Sequence, residues 1–333
     1  MADLFMPILA LPKQHPSENS SIHVENLSRS EYIVYQVVIS FFGLIGTFGN
    51  LFTILALSNC SKLRQNSTTK FVLSLATSDL LFCSVSMTTF VWRLSIGNEL
   101  NADMCPFIVM VLYVPAIISL NTLMAIAINR YVIVCHNAIY EKVYSNYKIV
   151  LKIVLIWFIG FGVLTLPLFE LWGKFGLTEI THQCDFVTKD GKSPKTFIVL
   201  FFTVLPMVIM IFCYTMIFLK VRHMKKQLNE LHMKENTEDM DILKMMFTLF
   251  ICYIVSIIPV TIITAIDPLN LKTRLQTICG IIYTSQGIIN PFIYAFKNST
   301  YKPAFIKLCR KIVFCIQLDN SVNTTTGPTQ ATI

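Results

Sequence analysis

Residues 119–140 read SLNTLMAIAINRYVIVCHNAIY. The stretch is apolar until it meets a bare arginine, Arg130, toward its far end. The apolar run opens near Met104, so Arg130 sits about 26 residues in, or roughly 39 Å along a helix rising 1.5 Å per residue. A helix of that length crosses a hydrocarbon core of about 30 Å and brings the guanidinium to the opposite face. An ionisable group at such depth is costly unless it meets water, a partner or a cavity, so its first reading is functional. The plainer reading is a snorkelling arginine that only anchors a helix end. The other apolar segments around this one weigh against it.

Those segments are Tyr32–Ser58, Thr69–Trp92, Met104–Cys135, Tyr147–Trp172, Thr196–Val221, Ile242–Ile266 and Arg274–Phe296. Each has at least the roughly 20 residues a membrane helix needs. The 333-residue chain is 54% hydrophobic and 14% charged, with a mean hydropathy of +0.62. Soluble domains carry about 25% charged residues. The expected fold is therefore an all-α membrane protein, a seven-transmembrane helix bundle. The seventh segment is the weakest, with Gly280, Gln286, Gly287, Asn290 and Pro291 inside it. Neighbouring helices can re-satisfy a backbone that such residues interrupt.

Orientation follows from the basic residues. With the N-terminus outside, two thirds of the 27 Lys and Arg fall on the cytoplasmic side, as the positive-inside rule requires. The net charge of +8 is then a membrane-surface signature rather than a nucleic-acid one. The expected division is an extracellular N-terminal tail at 1–31, a seven-helix domain at 32–298, a short amphipathic eighth helix on the membrane surface at 299–315 and a disordered cytoplasmic tail at 316–333. The apolar LFMPILAL near the start lacks a basic flank and contains a proline, so it does not read as a cleaved signal peptide. Glycosylation sequons begin at Asn19 and Asn26 on the outer side. Others begin at Asn66, Asn298 and Asn323 on the inner side, where they are expected to stay bare.

Several segments carry one conspicuous polar residue: Asn50 in the first, Asp79 in the second, Ser119 in the third and Asn290 in the seventh. A carboxylate at mid-membrane is expected to be protonated, paired or bound to an ion. A shared network satisfies such groups, with a sodium ion as the candidate occupant beside Asp79 and no other cofactor expected. The alternative is unrelated polar residues facing a generic interface.

These residues together resemble a rhodopsin-like (class A) G-protein-coupled receptor over nearly all of Tyr32–Cys315. The resemblance is carried by Gly49-Asn50, LATSDLL around Asp79, Cys105 and Asn129-Arg130-Tyr131. It continues through Trp157, Pro206, Tyr214, Pro259 and NPFIYAF from Asn290. Within the class, AIAINRYVIVCHNAIYEKVYS at Ala125–Ser145 is similar to the moody/trapped-in-endoderm and melatonin-receptor branch. Pro291 after Asn290 and Ser256-Ile257-Ile258-Pro259 in the sixth segment favour the moody-like side.

The resemblance implies a receptor that binds an extracellular ligand and activates a heterotrimeric G protein of the Gi/o type, with arrestin and membrane lipids as further partners, at the plasma membrane. It implies a disulfide between Cys105 and Cys184, the two cysteines on the oxidising outer face. Of the ten cysteines none makes a metal spacing, and Cys60, Cys83, Cys135, Cys213, Cys252 and Cys279 read as small packers. Cys309 and Cys315 beside the basic stretch Ser299–Val313 are palmitoylation candidates. Pro206 and Pro259 each remove a backbone hydrogen bond and supply bends. By resemblance, outward motion of the sixth helix uncovers Arg130, Tyr131, Tyr214 and Tyr294 for the G protein, with Asn290 and Pro291 taking part in the switch.

Two departures matter. Asn129 stands where most relatives place a carboxylate that holds the arginine at rest, and a charge-assisted bond is roughly twice as strong as a neutral one. Appreciable basal signalling is expected, with Asp239 as an alternative partner for Arg130. The sixth segment also lacks the usual tryptophan, and Tyr253 one turn below is expected to take over part of its packing.

The ligand is read from the expected pocket wall: Leu112, Tyr113, Ala116, Ile257, Val260, Thr261, Tyr283 and Thr284. It is mostly apolar, which suits a neutral small molecule or a lipid-like ligand. Amine receptors carry an aspartate where this chain has Leu112, and opsins carry a lysine where it has Thr284. A monoamine and a light sensor are both disfavoured. Arg93, Glu170 and Lys174 fall at the rim. The six histidines all lie outside the segments, which leaves a seven-span hydrolase without acid–base or metal groups, so no enzyme is expected. A transporter or channel would show internal repeats and more intramembrane charge. None is visible.

Overall fold

The computed structural model describes residues 28–96, 101–177, 184–191, 193–230, 237–266 and 273–312. The first helix is Arg29–Ser58. The second runs Ser67–Leu81, passes through a π-helical turn at Phe82–Ser86 and ends as Met87–Ile96. The third is Cys105–Cys135 and the fourth Asn146–Leu168. The fifth starts at Lys195–Val199, takes a second π-helical turn at Leu200–Val204 and continues over Leu205–Glu230. The sixth is Thr237–Ile266. The seventh comes in two pieces, Thr273–Thr284 and Gln286–Lys297, and a further helix covers 302–312.

Six of these rods are long and apolar enough to cross a membrane unbroken. The seventh fails that measure because it is interrupted at Ser285, whose hydroxyl bonds back to Ile282 O at 2.6 Å. The segment that reads weakest in sequence is thus the one that breaks.

The helix ends follow local chemistry. Ser28 caps the first helix, accepting from Glu31 N while the Glu31 carboxylate accepts from Ser28 N at 2.7 Å, a reciprocal capping box. Asn66 caps the second through Thr68 N at 2.9 Å. Asn298 Oδ1 accepts from Thr300 N and Tyr301 N and starts the last helix. Two of the inner sequons therefore serve as caps. The fourth helix stops at Leu168 rather than reaching Trp172. Glu170 takes a left-handed φ of 55° and Leu171 N bonds back to Leu166 O at 2.9 Å, which turns the chain out of the helix.

The bundle is apolar on both sides. The first helix buries Ile39, Gly43, Gly46, Asn50, Thr53 and Leu57 along one stripe, while Val37, Phe41, Leu44 and Phe48 stand exposed on the other. Outward-facing apolar side chains of this kind suit lipid, and packing between helices then depends on small residues. Gly160 of the fourth helix lets Ile118 approach so closely that a Cβ would lie 2.5 Å from it. Gly46 and Gly287 bring the first and seventh helices onto Cys83 in the same way. Trp157 Nε1 donates to Ser74 Oγ at 3.0 Å, tying the fourth helix to the second.

Outside the helices, β1 (Lys174–Leu177) and β2 (Cys184–Val187) pair antiparallel, with Phe175 opposite Phe186. A disulfide joins Cys184 of β2 to Cys105 at the start of the third helix. The hairpin is thereby fixed over the outer end of the bundle, where Phe175 and Phe186 join the core of the third and fourth helices.

Candidate functional site

Two polar clusters lie inside the bundle, one at mid-depth and one at the inner end. At mid-depth Asp79 is buried, and both of its oxygens are engaged. Ser119 Oγ donates to Oδ1 at 2.8 Å and Asn290 Nδ2 donates to Oδ2 at 2.6 Å. The second, third and seventh helices therefore meet on one carboxylate. Asn50 stands apart from that carboxylate in its bonding. Its Nδ2 donates to Gly46 O at 2.9 Å and to Gly287 O at 2.8 Å, so it seals the gap opened by the glycines. Its Oδ1 is buried with no hydrogen-bond partner among the described residues. A cavity scarcely larger than one water lies beside Asn290 and Ser119, closed by Leu123, Leu249, Cys252, Tyr253, Gln286 and Ile289. Tyr253 thus lines the floor of the polar centre as well as packing there.

At the inner end, Arg130 is 5% exposed and lies within electrostatic reach of the Tyr214 and Tyr301 hydroxyls. Its neighbour Asn129 faces the second helix, accepting from Thr68 Oγ1 at 3.1 Å, and its Nδ2 has no partner among the described residues. Among the described residues, two polar contacts join the sixth helix to the bundle at this level. Tyr214 OH donates to Met246 O at 3.2 Å, and Asn298 Nδ2 points at Met245 Sδ at 3.0 Å. Tyr214 also stacks on Phe250 at 4.9 Å. Tyr294 is fully buried and meets Tyr301 edge-on, while Tyr301 OH bonds to Thr69 Oγ1 at 3.1 Å. The guanidinium is thus buried at the level where these contacts hold the sixth helix.

The other sequence-predicted residues distribute around these centres. Tyr131 is not part of the Arg130 cluster; it turns outward to His136 Nε2 at 2.9 Å and packs edge-on to Phe212. Pro291 lies against Gly49, a close approach of the seventh helix on the first. Ser67 Oγ and Tyr140 OH are hydrogen-bonded across the inner loops. Cys309 is exposed on the last helix. The side chain of Asp239, the sequon residues Asn19 and Asn26, Cys315 and the tail 316–333 lie outside the described residues.

Of the expected pocket wall, Ile257 is buried and Leu112, Tyr113, Ala116, Val260, Thr261, Tyr283 and Thr284 are half-buried. Two hydroxyls are already spent: Thr261 donates to Ile257 O at 2.8 Å and Thr284 to Ile281 O at 3.0 Å. The wall is therefore more apolar than its composition suggests. Glu170 pairs with Lys189 at 2.6 Å, and that hydrogen bond holds its carboxyl below the ordinary carboxylate range. Arg93 packs over the Phe90 ring at 5.3 Å.

Sequence reading passed over three features. Pro115 lies inside the third helix. Ser86, in the first π-helical turn, donates to Val111 O at 2.7 Å and pins the second helix to the third. Asp185 and Lys195, in what reads as a solvated outer loop, make a partly buried ion pair at 2.5 Å. Only the position of Asp185 next to Cys184 offered a hint.

Comparison with known proteins matches the profile of "7 transmembrane receptor (rhodopsin family)" over residues 49–294. The "Protein trapped in endoderm-1" of Drosophila melanogaster is 29% identical, over 82% of this chain and 76% of its own length. The "G-protein coupled receptor moody" of the same fly is 25% identical over 95% of this chain, which spans 56% of that longer protein. "Melatonin receptor type 1A" of Mus musculus is 27% identical, over 83% of this chain and 81% of its own length. Among solved structures, squid rhodopsin superposes with a TM-score of 0.74 at 18% identity, covering 95% of this chain and 98% of the other. That likeness speaks to fold alone.

Proposed function

Because the chain belongs to the rhodopsin family of seven-transmembrane receptors, a multi-pass membrane protein and not an enzyme, we propose that it binds an extracellular small-molecule or lipid-like ligand and activates a heterotrimeric G protein of the Gi/o type from the plasma membrane, with its N-terminus outside. The observation that carries this reading is the latch at the inner end. A buried arginine lies within electrostatic reach of Tyr214, whose hydroxyl holds the sixth helix at Met246 O, while Asn298 meets Met245 of the same helix.

The mechanism follows from that geometry. An agonist shifts the equilibrium only as far as it binds the open arrangement better than the closed one. Both latch contacts are neutral, and a neutral hydrogen bond contributes about 0.5–1.5 kcal/mol net. Pro259 supplies the bend in the sixth helix, since its ring removes one rung of the backbone ladder. Ser256 Oγ, bonded to Cys252 O at 2.9 Å one turn below, favours the same distortion. Asp79, joined to both Ser119 and Asn290, links the third and seventh helices so that they move together.

The mid-depth centre is the place this reading gives to a sodium ion. Asp79 and Ser119 would offer it oxygen ligands, which suit a hard cation. Bound there it would neutralise the Asp79 carboxylate. The same reading has arrestin and anionic lipid meeting the inner face, and palmitate on Cys309 anchoring the last helix.

The test is a G-protein dissociation panel in cells, run with and without tissue lipid extracts. The parent should release Gi/o heterotrimers, and Arg130→Ala delivered equally to the surface should not. Equal signalling from the two, or an N-terminal epitope tag found in the cytosol, would defeat the proposal.

A further inference from the structure

The outer end of the bundle holds an ion pair to which the reading above gives no role. Asp185 Oδ2 accepts from Lys195 Nζ at 2.5 Å, while Oδ1 accepts from Phe186 N at 2.8 Å and from Tyr113 OH at 3.5 Å. The side chain of Asp185 is 15% exposed and that of Lys195 36%. Asp185 is therefore not a freely solvated surface charge. In the Glu170–Lys189 pair the lysine is about as exposed, at 38%, but the carboxylate is 52% exposed.

Three elements converge on this carboxylate: the third helix through Tyr113, the hairpin through its own backbone at Phe186, and the fifth helix through Lys195. The Tyr113 ring meets Phe186 edge-on at 5.3 Å and lies within electrostatic reach of Tyr283 on the seventh helix. Ala116 lies about one turn further inward on the same helix, and the expected pocket wall also takes in Leu112 beside Tyr113 and the buried Ile257 of the sixth helix. The pair therefore sits at the polar end of an apolar wall.

Charge decides what such an end accepts. A lone carboxylate would select a cation and a lone ammonium an anion. Here the two are joined and nearly neutral together. A headgroup with only one charge is attracted by one member and repelled by the other. A headgroup with both charges exchanges one ion pair for two, leaving neither side chain without a partner as water is excluded.

We propose that Asp185 and Lys195 form the polar end of the ligand site and take a zwitterionic headgroup, with its ammonium on Asp185 beside the Tyr113 hydroxyl, its anionic group on Lys195 and a single apolar tail along Leu112, Ala116 and Ile257. This rests on the reading that the ligand enters between the third, fifth, sixth and seventh helices. Asp185, supplied by the hairpin, then does for an amphiphile what an acid at position 112 does for an amine.

The experiment measures direct binding to the purified full-length protein in nanodiscs of phosphatidylglycerol. The probes share one sixteen-carbon chain: lysophosphatidylcholine, the fatty acid, the alkylamine and the monoacylglycerol. The parent should bind the zwitterion at least about tenfold more tightly than the others, the factor that one charge-assisted contact supplies. Asp185→Asn should shift preference to the fatty acid and Lys195→Gln to the alkylamine. The swapped pair Asp185→Lys with Lys195→Asp should restore the zwitterion toward first rank. Glu170→Gln with Lys189→Gln should leave the order unchanged.

Equal binding of all four by the parent, binding of none, or single variants that keep the parent's order would overturn the assignment. Thermal unfolding of each variant shows that it is folded, and the swapped pair keeps the test open if a single variant is not. G-protein dissociation is read separately. Selective binding without heterotrimer release would defeat the proposed function and leave this site standing, while release by all four probes alike would do the reverse.

Discussion

Asn129→Asp should lower ligand-free signalling, and its size can be worked from the contacts. Asn129 is fully buried, its Oδ1 holding Thr68 Oγ1 at 3.1 Å, and its Nδ2 has no partner among the described residues. Aspartate has the same shape, so one oxygen keeps Thr68 and the other replaces that Nδ2. The Arg130 arm is long enough to fold back toward it. A neutral bond is worth about 0.5–1.5 kcal/mol net and one to a charged group about 1.5–3 kcal/mol. Part of the difference is lost to desolvating the new carboxylate. A net gain of about 1 kcal/mol for the closed arrangement remains, and it is lost when Arg130 moves to a G protein. At 1.4 kcal/mol per factor of ten, the open fraction should fall about fivefold. The assay is G-protein dissociation without ligand, normalised to receptor at the surface. Asn129→Ala is the control, since it removes the Thr68 contact and adds no charge, and it should not reduce the signal. An Asn129→Asp signal equal to or above the parent's, at equal surface level, would refute the idea that a missing carboxylate leaves the resting state weakly held.

Other expectations follow from packing and connectivity. Gly160→Ala should lower the thermal midpoint in detergent, because its Cβ would meet Ile118 at 2.5 Å and overpacking of this kind costs about 1–3 kcal/mol. Gly162→Ala, with nothing within 4 Å of its Cβ, should be neutral or raise the midpoint. Cys184→Ser frees the hairpin from the third helix; losing a native disulfide typically costs about 2–5 kcal/mol, so surface delivery measured by antibody should drop. Asp79→Asn should make basal signalling insensitive to replacing external sodium with choline, whereas the parent should signal more when sodium is withdrawn.

Much of the architecture was readable because bilayer thickness imposes a length that few other structures share. A run such as Tyr147–Trp172 has no other economical reading than a membrane helix. Arg130, Asp79 and Asn290 were readable for a related reason, since a polar residue in such a run is conspicuous. What escaped was decided by contacts between distant segments. Nothing in the triplet around Asn129 says that its amide turns to Thr68 rather than toward Arg130. Asp185 and Lys195 are ordinary charges in an ordinary loop until the hairpin folds over Tyr113. The hydroxyls of Thr261 and Thr284 look available in sequence and are occupied by their own helices. The break at Ser285 was half readable, from the crowd of Gly, Gln and Asn residues around it.

The π-helical turn at Phe82–Ser86 has a consequence for anyone numbering outward from Asp79. A wider turn absorbs an additional residue, which sets every later side chain back about 100° around the axis relative to a regular helix. A helical wheel drawn from the inner half would therefore aim Trp92 and Arg93 the wrong way, and the second such turn, at Leu200–Val204, does the reverse to residues nearer the outer end of the fifth helix. Angular positions at the mouth must be taken from coordinates. Deleting one residue within either wide turn would rewind the phase and present a different set of side chains to an incoming molecule, with the inner machinery left as it was.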